Sequence, residues 1–143
     1  MRLVYAKSTL SQDELVGILI ENESFQLVDP YFLASEKQAE LALYCAKHNS
    51  WLAKSLKNEF LLWLAGEHEV RKAIGKAGIK SNVFVLVIFE ENEKIERILK
   101  KLKAKKLSEN EIEKIKAAAM EKWAAVGGEK ELLELIATSR IYL

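Results

Sequence analysis

The chain has 143 residues, half of them hydrophobic, enough for one domain that buries about two-thirds of its unfolded surface. Its 22 basic and 21 acidic residues leave a net charge of +1, which excludes nucleic-acid binding by bulk charge and requires any such contact to come from a local patch. A single Cys excludes an internal disulfide framework and fits a reducing cytosol, and neither a signal peptide nor a run of transmembrane length is expected.

In chain order, Leu3–Ala6 reads as a short strand. Ser11-Gln12-Asp13-Glu14 is a capping box, in which the Ser hydroxyl and the Glu carboxylate each satisfy the other's backbone N–H at a helix start. The helix it opens buries Leu15, Ile18 and Leu19. Phe25–Val28 is a second strand, and Pro30 marks the turn after it. Ser35 and Gln38 form a second capping box before a helix carrying Ala39, Ala42, Leu43 and Ala46, which His48-Asn49-Ser50 breaks. Leu56, Phe60, Leu61 and Leu64 share one helical face up to Gly66, a residue type that ends helices. The next helix buries Val70, Ala73, Ile74 and Ala77 and exposes Arg71, Lys72 and Lys76. Val83–Phe89 is apolar throughout and rich in β-branched and aromatic residues, so it reads as a central strand covered on both faces. Ile95, Ile98, Leu99 and Leu102 mark a helix ending in the lysines from Lys100 to Lys106, the charge that a helix C-terminus favours. Ser108 and Glu111 form a third capping box, the helix behind it buries Ile112, Ile115, Ala119 and Trp123, and Gly127-Gly128 stops it. A last helix carries Leu132, Leu133, Ile136 and Ala137 and leads to an apolar tail. The sum is an α+β fold: about three strands in a small, mostly buried sheet, covered by six or seven helices, in one domain spanning residues 1–143.

Catalytic equipment is sparse. His48 and His68 have no metal-ligand spacing with Cys45, which sits on a helix face as a small buried hydrophobe would. No nucleophile elbow, dinucleotide fingerprint or phosphate-binding loop motif occurs, so neither an enzyme nor a cofactor or metal is expected. Glu59, a lone acid inside an apolar helix, has no partner for acid–base work; it reads as a cap for a neighbouring loop or the partner of a Lys. Trp123 lies at core spacing, whereas Trp63 and Trp51 are open to either core packing or base stacking. Lys54, Lys57, Arg71, Lys72, Lys76 and Lys80 crowd the middle of the chain, as a solvated face or as an anion site. The Gly66–Val70 loop feeds a helix N-terminus, where backbone N–H groups attract phosphate, although Glu67 and Glu69 oppose it.

The middle of the chain also resembles a known family. Lys54-Ser55, Glu59, Ala65-Gly66, Val70-x-x-Ala73-Ile74, Gly78-Ile79 and the Val83–Phe89 strand, with Phe25–Ser35 upstream, are similar to the small regulatory subunit of the KEOPS (EKC) tRNA-modification complex, the PRPK-binding protein family. The archaeal pattern is Arg-rich around the Gly break; here Glu67-His68-Glu69 stands in that place, and Lys72 replaces the usual acid before Ala-Ile. The excess of Lys and Glu over Arg and Asp is the bias of hyperthermophile proteins.

The resemblance implies a non-catalytic cytoplasmic subunit. Such a subunit binds the complex's RIO-like atypical kinase and recruits tRNA by its 3′ CCA end for threonylcarbamoyladenosine formation, with no membrane or DNA partner. On this reading the RNA contacts are Lys54, Ser55, Lys57, Gly66, His68, Arg71 and Lys72, and the kinase meets exposed apolar residues of the last helix and tail, Ile136, Ile141, Tyr142 and Leu143. The alternative is an allosteric activator of the kinase that binds protein alone, which the near-neutral charge favours.

Overall fold

A computed structural model describes residues 1–139. Seven helices and four strands occur among the described residues, in the order β1 (Arg2–Ser8), α1 (Gln12–Ile20), β2 (Phe25–Val28), α2 (Glu36–His48), α3 (Leu56–Ala65), α4 (Val70–Ala77), β3 (Val83–Ile88), α5 (Ile95–Lys101), β4 (Ala104–Lys106), α6 (Glu109–Ala124) and α7 (Gly128–Thr138). The strands form one antiparallel sheet in the order β2-β3-β1-β4. It is the α+β arrangement expected, with β3 in the interior of the sheet.

Strand pleating sends alternate side chains to opposite faces, and both faces are covered. Phe84, Leu86 and Ile88 of β3 pack with Phe25, Leu27, Val4 and Ala6 under α1 and α5. Val85, Val87 and Phe89 face the other way, into the larger core built by α2, α3, α4, α6 and α7. Hence the unbroken apolar run: a strand with no solvent face has no polar positions.

The Ser11 and Ser108 capping boxes close with both arms. At Ser35 only the serine arm forms. Gln38 instead reaches past the N-cap, accepting from the Ala34 N–H at 2.8 Å and donating to the Phe32 carbonyl at 3.3 Å, which pins the turn before α2. Gly66 ends α3 in the left-handed conformation, φ 66°.

Three expectations fail. The sheet has a fourth strand: α5 stops at Lys101, the chain reverses through Lys103 at φ 48°, and Ala104–Lys106 pairs with the free edge of β1. The Lys100–Lys106 run is therefore a helix end plus an edge strand. Ile74 is not buried with Ala73 and Ala77 but is 49% exposed, because α4 packs only on its small-residue side. Helix α3 is not one-sided: every residue from Glu59 to Ala65 is buried, because α2, α4, α7 and β2 surround it.

Candidate functional site

Helix α3 organises the region that carries the predicted site. Ser55 is its N-cap, its hydroxyl accepting from the Asn58 N–H at 3.4 Å. One turn on, the wholly buried Glu59 points back and accepts from the Leu52 N–H at 3.1 Å and the Ala53 N–H at 3.0 Å. A carboxylate buried on backbone donors is a loop clamp, which agrees with the structural reading of Glu59. The clamp fixes the segment just before Lys54, whose side chain is exposed.

Lys57 departs from the expected groove. It is 4% exposed, and its ammonium donates to the Leu19 and Asn22 carbonyls at the end of α1, with Glu23 at 3.9 Å. Burial holds its pKa below the ordinary lysine value, and Glu23 opposes that shift. Here the lysine caps α1 from inside the fold, and no free charge faces solvent.

At the other end of α3, Gly66 leads into the loop before α4, where His68, Arg71 and Lys72 are exposed. The His68 ring meets the Ser139 carbonyl, tying the loop to the end of α7. Glu67 pairs with Lys76 at 2.5 Å, and Glu69 lies 4.0 Å from Lys72. The Lys76 hydrogen bond keeps the Glu67 carboxyl below the ordinary value. The structure thus brings together Gly66, His68, Arg71 and Lys72. Lys54 and Ser55 stand apart from them by the length of α3, about 15 Å for ten residues.

Beside the C-terminal half of α4, a groove of about 950 Å³ runs between α4, α6 and α7. Phe32, Trp123 and Leu135 line its apolar part, and Lys76, Lys80 and Lys122 its polar part, together with Glu131 and Glu134. Trp123 is held edge-on to Phe32, ring centres 5.1 Å apart, and donates to the Phe32 carbonyl at 2.8 Å. Sequence reading took Trp123 for core; its half-buried place at a groove depends on how α6 and α7 meet, which periodicity does not report. Trp63 is buried in α3 and Trp51 is half exposed, its indole donating to the Ala46 carbonyl.

Of the expected kinase contacts, Ile136 is wholly buried in the larger core and is not available at the surface. Its neighbour Leu135 points outward instead and lies 3.5 Å from where a Cβ on Gly66 would stand. Ile141, Tyr142 and Leu143 lie outside the described residues. A second apolar surface was not anticipated: Ile20, 70% exposed, and Ile74 flank a small groove between α1 and α4. Among the described residues no group of three or more His, Cys, Asp or Glu is placed to hold a metal ion, and no helix is long and apolar enough to cross a membrane. Cys45 is buried.

Comparison with curated proteins finds no match. The sequence profile described as kinase binding protein CGI-121 matches residues 6–138, from the middle of β1 to the end of α7, so it takes in all seven helices and β2 to β4 as well as the segment that carried the resemblance. A match over that much of the fold leaves one conclusion: the chain belongs to the kinase binding protein CGI-121 family.

Proposed function

We propose that this protein is the non-catalytic regulatory subunit of a KEOPS-type complex in the cytoplasm. It docks a RIO-like atypical kinase and recruits tRNA by its 3′ CCA end for threonylcarbamoyladenosine formation. Family membership supports the kinase partner. The observation that carries the RNA half is the exposed basic side of α4, Arg71 and Lys72 with His68, lying along the same helix as a groove lined by Trp123 and lysines. A single-stranded end is held by backbone phosphates on cations and by bases on aromatic surfaces, and both kinds of group occur here. Lys54 and Ser55, one helix length away, serve a further nucleotide of the same strand.

Binding of labelled tRNA to the protein across a salt series tests this. Removing the CCA end is expected to weaken binding strongly. Arg71→Ala and Lys72→Ala are each expected to weaken it and to flatten the salt dependence by about 0.7 per lost phosphate contact. Binding indifferent to the CCA end rejects the 3′-end clamp.

One observation favours a subunit that binds protein alone. Lys72 and Lys76 already face Glu69 and Glu67, which weakens the field of α4. On that reading the wild-type protein activates its kinase partner without measurable affinity for tRNA.

A further inference from the structure

Among the described residues, a second cluster of exposed cations lies away from α4. A groove of about 630 Å³ at the β4 edge is lined by Lys7 of β1, Lys100 of α5, and Lys103, Lys105 and Lys106 of the reversal and β4. All five lysines are exposed. Among the described residues none of them lies within ion-pair distance of a carboxylate. Glu111 also lines the groove, but its carboxylate is engaged by the Ser108 N–H and hydroxyl in the α6 capping box. Because the whole chain carries only +1, five unpaired cations in one place leave the rest of the surface net acidic. The positive field is focused here.

Lysines on an edge strand have an ordinary use, which is to discourage strand addition. That use explains Lys105 and Lys106 but not the other three. Lys7 lies on an interior strand and Lys100 on a helix, and both point their charge into the same groove. Lys7 and Lys105 are moreover direct partners in the antiparallel pair, so two like charges repel across the ladder. A polyanion laid in the groove turns that repulsion into binding.

We propose that this groove is a second RNA contact and seats the phosphodiester backbone of the tRNA body, not its 3′ end; the choice of RNA as the polyanion rests on the function proposed above. No aromatic side chain lines the groove, so it has no platform for unstacked bases. Its cations are all lysines, point charges suited to phosphates and lacking the planar fork that reads base edges. The groove therefore binds backbone without reading sequence. It lies at the sheet edge opposite β2, and α4 joins the β2 end through the Val28–Gly78 bridge. Three strand spacings, about 14 Å, separate the two edges, so the two sites meet different segments of one RNA.

The test uses two tRNA transcripts, with and without the CCA end, titrated across a salt series. The proteins are the wild type, the triple variant Lys7→Ala, Lys103→Ala, Lys105→Ala, its charge-preserving Arg counterpart, and a control triple Lys37→Ala, Lys47→Ala, Lys130→Ala. The groove variant is expected to lose affinity for both transcripts by the same factor, about tenfold or more at low salt. Its salt dependence should be shallower by about 2 to 3 in slope. The Arg triple should bind as the wild type does, and the Ala triple should unfold in urea at the wild-type midpoint, which excludes misfolding as the cause. An unchanged slope, an equal loss in the control triple, or no wild-type affinity for either transcript overturns the proposal. So does poly-glutamate bound as tightly and with the same lysine dependence, which would assign the groove to an acidic protein segment. A missing CCA effect, by contrast, rejects the 3′-end clamp and leaves this groove standing.

Discussion

Two charged side chains of α3, Glu59 and Lys57, are internal fasteners of the fold. Glu59 was legible as structural, since a lone acid among apolar residues has no chemistry to share. A loop cap was one of its two readable roles; which amides it takes, those of Leu52 and Ala53, was not legible, because the loop's path is set by tertiary contacts. Glu59→Ala orphans those two partly buried donors and empties a buried site, and a loss of about 2–4 kcal/mol in urea unfolding is expected, with Glu59→Gln losing less. Lys57 was misread: nothing in the spacing reveals that its stem runs inward to the end of α1. Glu67 offers a test by pH. Lys76 holds its carboxyl below the ordinary 4.5, so the stability it contributes is present above that value and disappears as pH falls through the lowered one. In Lys76→Gln the acid limb of the stability profile should be correspondingly flatter; an identical limb in both proteins refutes the pairing.

Among the elements, those governed by local rules were the readable ones. Serine caps, the Gly66 stop and the β3 apolar run follow from backbone chemistry within a few residues. β4 was unreadable because Ala104-Lys105-Lys106 has no strand propensity; it is a strand only because β1 offers an unpaired edge. Ile74 was misplaced because helical period identifies an apolar stripe but not how much of it a neighbour covers. The glycines near α4 separate local from tertiary demands. Gly66 has φ 66° with Leu135 close by, so Gly66→Ala should lower stability by about 1–2 kcal/mol. Gly75, inside α4 with open space at its Cβ position, should accept Ala and gain about 0.5–1 kcal/mol. Chemical denaturation of both variants checks the pair, and equal signs contradict the geometry.

At the scale of the whole molecule the sheet separates duties. The α1/α4 groove with Ile20 and Ile74 is an exposed apolar patch of the kind that partners cover, and it lies at the β2 side, away from the lysines of β4. If the kinase docks there, Ile20→Asp and the charge-neutral Ile74→Asn should each weaken co-purification with the kinase subunit by about tenfold or more while leaving tRNA affinity unchanged. Retained kinase binding would return the interface to the chain's last residues. The sequence shows that apolar and basic residues exist in quantity; that the Ile20–Ile74 patch and the β4 lysines lie at opposite sheet edges is a property of strand order, which no local pattern encodes.

Lys103 carries a consequence for anyone who would engineer this chain. It turns the corner before β4 in a backbone conformation where glycine or asparagine sits at ease and a lysine does not. A selection for heat resistance alone would favour Lys103→Gly or Lys103→Asn, releasing roughly 1 kcal/mol of strain. Each such gain in hardiness would delete one cation from the β4 groove. Thermostability and polyanion affinity are set against each other at a single position, and a variant library scored on melting temperature would drift away from binding without any sign of damage to the fold.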